Sequence, residues 1–234
     1  PGETVESVEQ SPFLERLREK DLEVLYMVDA IDEYMVQRMP DYNGKKFVSV
    51  SREGLKFGDA DDDKDIDQEL KEEFAPLIKW FKRQLGDKIE KAQLSKVLSS
   101  TPCILTSPQY GLSSNMERIL KAQTLGSEST MAKNMKANRI LELNPRHPIV
   151  QDLRSRVERN EEDQVAIDTA VLLYDTAVLQ SGFSIEDPKL FADHIHNIMR
   201  VGLGVGSAPE KETEEAEEEA PVDEKTSNSE EEPT

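Results

Sequence analysis

Four acidic side chains come closest to forming a chemical site. Asp61, Asp63 and Asp65, with Glu72 beyond them, fall at four of the positions where a helix-flanked calcium loop places its oxygen ligands. That loop needs glycine at its sixth position for a sharp turn, and Ile66 stands there instead. The run from Asp59 to Asp67 therefore reads as a solvated acidic loop, able to hold cations only weakly. Gly202, Gly204 and Gly206 have the composition of a phosphate cradle, but they follow a helical pattern and precede no helix, so they read as a helix end. His194 and His196 stand two apart on a helical segment, where their side chains diverge too far to grip one metal ion, and His147 opens a helix. Cys103, the single cysteine, sits among Pro102, Ile104 and Leu105 in a run that reads as buried, which argues against nucleophilic or redox use. The sequence thus offers no catalytic residues, cofactor site or metal site.

Composition narrows the field of partners. The chain has 234 residues, 36% apolar and 33% charged, enough for a packed core beside a large solvated fraction. Its net charge is −19, and residues 207–234 alone hold 12 acidic and 2 basic side chains. Phosphate recognition needs a lysine and arginine surface, so neither nucleic acid nor an anionic membrane is expected as a partner. No run approaches the roughly 18 apolar residues of a membrane span. The acidic tail holds too few apolar residues to offset ordering entropy and is expected to be disordered. Opening on Pro1 and a polar stretch, the sequence reads as part of something longer.

The elements follow from hydrophobic periodicity. A short helix is predicted over Ser11–Lys20, a strand over Glu23–Val28, a helix over Ile31–Met39 and a strand over Phe47–Val50, which together imply a small parallel αβ layer. Beyond the acidic loop, Leu70, Phe74, Leu77, Ile78, Phe81 and Leu85 trace one helical stripe that ends at Gly86. Strands are predicted over Ile89–Ser95, Pro102–Ser107 and Ile140–Leu143, and short helices over Asn115–Ala122 and from Pro148 onward. The fold class is α+β.

Two terminal helices carry the strongest functional signal. Glu161–Gln180 is apolar on nearly every side, and Pro188–Val201 follows after a connection too short for anything but an antiparallel hairpin. Two helices at a chain's end cannot surround one another, so something else must cover them. Burying a Val, Leu or Ile side chain is worth roughly 1.5–3 kcal/mol, and four per subunit would match the roughly 4–15 kcal/mol that association costs. A two-fold four-helix bundle satisfies this, with Ala170, Val171, Leu173, Tyr174, Ala177, Val178, Phe191, Ile195, Ile198 and Met199 at the interface of a homodimer. Leu125, Met131 and Met135 form a thin apolar stripe in a polar stretch, suited either to ordinary packing or to contact with irregular partners, and Trp80 is a second such candidate.

Several long motifs in order resemble the heat shock protein 90 chaperone family. They are SPFLERLREKDLEVLYMVDAIDEY at 11–34, SSNMERILKAQ at 113–123, LELNPRHP at 141–148 and LLYDTAVLQSGFSIEDP at 172–188. The resemblance implies that residues 1–54 close the family's middle domain, 55–68 link, 69–206 form its C-terminal dimerisation domain, and 207–234 trail as a tail. It implies that Leu125, Met131 and Met135 lie near a segment contacting unfolded or partly folded client proteins. Co-chaperones are further implied partners. By the same resemblance the intact protein is an ATPase whose ATP and Mg site lies upstream, and this chain is not itself an enzyme. FKRQLGDKIEKAQLS at 81–95 and the acidic tail are most similar to the endoplasmic-reticulum branch, which implies a lumenal location. The final residues, Glu230 to Thr234, carry no lumenal retrieval signal, which keeps the cytoplasm as the alternative. Leu112 replaces a tryptophan usual in the family, and Met35 a common cysteine.

Overall fold

The computed structural model describes residues 2–55, 57, 68–123 and 139–205. The first stretch is built from short capped helices. Thr4 caps α1 (Val5–Glu9) by accepting from the Ser7 N–H. Ser11 does the same for a 3-10 turn, Pro12–Leu14, that runs into α2 (Glu15–Glu19). Phe13, Leu14 and Leu17 bury the inner side of this pair. The single helix expected over Ser11–Lys20 is therefore a turn plus one short helix. α3 (Ala30–Arg38) starts at a reciprocal Asp29–Asp32 cap.

Neither strand expected in this stretch forms. Residues 22–28 and 47–49 are irregular, with Leu25 71% and Val48 66% exposed, and these two segments form no parallel αβ layer. An apolar run of this kind becomes a strand only where neighbouring strands accept its backbone hydrogen bonds, and among the described residues no strand stands beside these two. The one ladder here is a hairpin, β1 (Asp41–Tyr42) with β2 (Lys45–Lys46). Asn43 and Gly44 turn it with φ of 50° and 74°, the left-handed pair that a two-residue hairpin requires.

The second stretch holds the core. In α4 (Gln68–Leu85) the residues Phe74, Leu77, Trp80, Phe81 and Leu85 are buried, and Pro76 lies inside the helix. A three-stranded sheet follows, with β3 (Lys91–Leu94) parallel to β5 (Ile140–Leu143) and β4 (Cys103–Thr106) antiparallel to it, in the order β3-β5-β4. Leu141 and Leu143 of the central strand join α4 in the core, alongside Val150, Leu153 and Val157 of α6 (Pro148–Arg159). α5 (Ser114–Gln123), α7 (Gln164–Gln180) and α8 (Pro188–Leu203) complete a mixed α+β fold. The sheet's other face carries a buried carboxyl: Glu142 accepts from Ser95 Oγ at 2.9 Å, Gln93 Nε2 at 3.1 Å and Thr106 Oγ1 at 3.2 Å. Burial pushes this carboxyl upward against those hydrogen bonds.

Candidate dimerisation surface

The terminal hairpin is fixed by its caps. Asp163 accepts from the Val165 N–H at 2.9 Å to start α7, and Asp187 accepts from Lys189 and Leu190 at 3.0 Å to start α8, with Pro188 in the first turn. Gly182, at φ 78°, makes the turn between them, where a side chain would also press on Ser114 Oγ at 3.1 Å. Across the hairpin, His194 Nδ1 and Asp175 Oδ2 lie 2.9 Å apart. Gly204 ends α8 in the left-handed conformation.

α7 is apolar all round because it has two different coverings to meet. Its inner face, Ala166, Ala170, Leu173, Tyr174, Ala177 and Val178, is buried in the chain's own core against β4, α4 and α6. Its outer face, with Val171 and Leu172, is only half-buried. α8 has no buried residue at all: Phe191, Ile195 and Ile198 are half-buried, Met199 is 56% exposed and Leu203 79%.

The ten residues expected at the interface therefore separate into two groups. Ala170, Leu173, Tyr174, Ala177 and Val178 serve the internal core, whereas Val171, Phe191, Ile195, Ile198 and Met199 present apolar surface outward. Leu179, Leu190, Val201, Leu203 and Val205 are further exposed apolar side chains on or beside these helices and were not anticipated. Trp80 is a correction: it is 1% exposed and its indole donates to the Glu161 carbonyl at 2.9 Å, so it cannot contact a client from this position. Leu125, Met131, Met135, the acidic run 58–67 and the tail 207–234 lie outside the described residues.

Among the described residues no group of three or more His, Cys, Asp or Glu side chains could hold a metal ion, and no helix is long and apolar enough to cross a membrane. Cys103 is sealed in the core with Sγ 3.4 Å from the Leu173 carbonyl, and burial pushes its thiol up to about 12.

A family model described as Hsp90 protein matches residues 1–233. The chain belongs to the Hsp90 family. Its similarity to individual Hsp90 proteins is high: it is 45% identical over 92% of its length to an endoplasmin homolog of Catharanthus roseus, and 43% identical over 93% to an endoplasmin homolog of Arabidopsis thaliana. A chloroplastic heat shock protein 90-5 of Arabidopsis thaliana is 45% identical over 86%. The chain spans about a quarter of these relatives, 26% of each.

Proposed function

We propose that this chain is the dimerisation and client-contact part of an Hsp90-type chaperone, with α7 and α8 of two copies packing as a four-helix bundle. The observation that carries the proposal is α8, a 16-residue helix with no buried residue and an apolar side formed by Phe191, Ile195, Ile198 and Met199. A second copy supplies the same surface by two-fold symmetry, which closes the assembly at two subunits. The whole protein is read as an ATP-dependent folding chaperone, with ATP and Mg bound outside this chain and with unfolded proteins as clients. The endoplasmin homologs and the acidic tail support the endoplasmic-reticulum lumen as its compartment, and transport of the full-length protein into chloroplasts would overturn that assignment.

Sedimentation at micromolar concentration tests the bundle. The chain is expected to sediment as a dimer, and Ile195→Asp with Met199→Asp to sediment as a folded monomer. Four apolar side chains leave the interface per dimer, each worth roughly 1.5–3 kcal/mol, so the dissociation constant should rise at least about a thousandfold. Both substitutions lie outside the internal core, so circular dichroism should not change. A wild-type monomer would overturn the bundle.

Client contact is tested separately, by the light scattering of an aggregating protein. The chain should slow its aggregation, and replacing Leu125, Met131 and Met135 with serine should remove at least half of that protection while leaving the sedimentation unchanged. No protection by the chain would leave it a dimerisation module alone, and equal protection by the triple variant would move client contact away from these three residues.

A further inference from the structure

β4 is gripped from both sides of the molecule. Ahead of it, the loop 99–101 closes around one carboxylate from the first stretch, that of Glu15. Glu15 Oε2 accepts the Ser99 N–H at 2.7 Å and the Ser100 N–H at 3.0 Å, and Oε1 accepts the hydroxyls of Ser100 at 2.8 Å and Thr101 at 2.5 Å. Behind β4, the Glu53 N–H donates to the Ser107 carbonyl at 2.9 Å and the Ser107 N–H to the Ser51 carbonyl at 3.0 Å. Arg52 adds a bond to the Pro108 carbonyl at 3.1 Å. Further on, Ser113 Oγ donates to Glu33 at 2.7 Å.

The outer edge of β4 is bound to α7. β4 is an edge strand, so half of its backbone groups have no strand to pair with. The Leu105 N–H donates instead to Ser181 Oγ at 2.8 Å, at the residue where α7 ends and the turn into α8 begins. The Cys103 thiol reaches the Leu173 carbonyl about two helical turns earlier. One short strand therefore touches both the first stretch and the helix that launches α8.

The two grips differ in kind. The hydrophobic core that holds α7 begins at Phe74 and contains no residue of the first stretch, which meets the segments flanking β4 through the hydrogen bonds of Glu15, Ser51, Arg52 and Glu53. Polar contacts within a chain open more readily than apolar ones. The attachment of β4 to α7, by contrast, is inside the core, with Cys103, Leu105, Leu173, Ala177 and Val178 packed together. A change in the first stretch therefore meets β4 as a stiff element already fastened to α7.

We propose that Glu15 is a latch that couples the placement of residues 2–55 to the α7–α8 hairpin through β4. Engaged, it satisfies the N–H groups of the loop and holds the N-terminal end of β4. Released, it frees the loop, and the strand's restraint on the Leu105–Ser181 contact weakens with it. Partial burial would raise the Glu15 carboxyl, but the bonds from Thr101, Ser99 and Ser100 outweigh that and hold it at about 2, down from 4.5. The latch is therefore ionised and engaged throughout the physiological range.

Amide hydrogen exchange on the whole chain at neutral pH tests this, and its readout lies in α7 itself, independent of whether the hairpin dimerises. Glu15→Ala should speed exchange at Ser99 and Ser100 by roughly tenfold or more, as expected on losing charge-assisted bonds. It should also speed exchange at Leu105 and across residues 178–182 by at least about threefold, since those amides open through the same local unit. Adding Ser181→Ala should abolish the extra effect on residues 178–182 while the loop still responds. Faster exchange confined to residues 98–101 would make Glu15 a local anchor, and unchanged exchange at Ser99 and Ser100 would remove the clasp. Either result overturns the latch.

Discussion

Trp80→Ala should cost the fold about 3–5 kcal/mol, the range for deleting a buried large aromatic side chain. Trp80 lies in the middle of α4, 1% exposed, edge-on to Phe81 with ring centroids 5.5 Å apart and planes at 81°. Its Nε1–H donates to the Glu161 carbonyl, which fastens α4 to the loop entering α7. Alanine removes the ring, leaves a cavity and orphans that carbonyl. Trp80→Phe fills most of the space but still leaves the carbonyl without its donor, for a smaller cost of about 1–3 kcal/mol. Urea denaturation measures both, as a fall in midpoint at unchanged slope. A stability unchanged by Trp80→Ala would contradict the burial of this residue and restore it as a surface contact.

The same residue shows where sequence reasoning reaches its limit. Periodicity placed Trp80 on a helix, and α4 is that helix, but its angular position lies just beside the stripe formed by Phe74, Leu77 and Phe81. Which side of a large amphipathic helix is covered depends on α6 and α7, elements more than sixty positions away in the chain. Local signals served well where local physics decides the outcome. β5 spans Ile140–Leu143 as expected, α6 starts at His147 and Pro148, and α8 starts at Asp187 and Pro188, because caps, first-turn prolines and short apolar runs act over a few residues. The strands expected at 23–28 and 47–50 failed for the opposite reason. Their composition suits a strand, but a strand exists only through its neighbours, and the hairpin that did form turns on Asn43-Gly44, a local signal that was not read.

The candidate surface was half legible. An all-apolar helix signals complete covering without saying by what, and the internal core turned out to claim Ala170, Leu173, Tyr174, Ala177 and Val178 before any partner could. The polar devices were not legible at all. Nothing in the spacing of Glu15 and Ser99, or of Glu117 and Arg139, marks them as contacts, because hydrogen bonds between distant positions carry no period. They become visible only once the sheet brings the loops together.

Arg139 and Glu117 form the most consequential of these devices, and separating them should cost about 3–5 kcal/mol. Arg139, 4% exposed at the entrance to β5, gives Nη2 to both Glu117 oxygens at 3.0 and 3.3 Å and Nη1 to the Tyr174 hydroxyl at 3.3 Å, while its guanidinium lies 4.4 Å from the Phe183 ring centre. One side chain thus joins α5, β5, α7 and the turn after α7. Glu117 has a second cation, Lys121 at 2.7 Å, whereas Glu117 is the carboxylate on which Arg139 depends. Glu117→Ala should accordingly destabilise more than Arg139→Ala, since the first strands a buried guanidinium and the second leaves a carboxylate still partnered. Replacing both, Glu117→Leu with Arg139→Met, should recover most of the loss, because an apolar pair of similar size carries no desolvation penalty. The double-mutant cycle reads this directly as a coupling at the top of the usual range, about 3 kcal/mol or more, measured by denaturation midpoint. Single substitutions that each cost under about 1 kcal/mol would place the pair with exposed ion pairs, and α5 would then have to be held to the sheet by its apolar side alone.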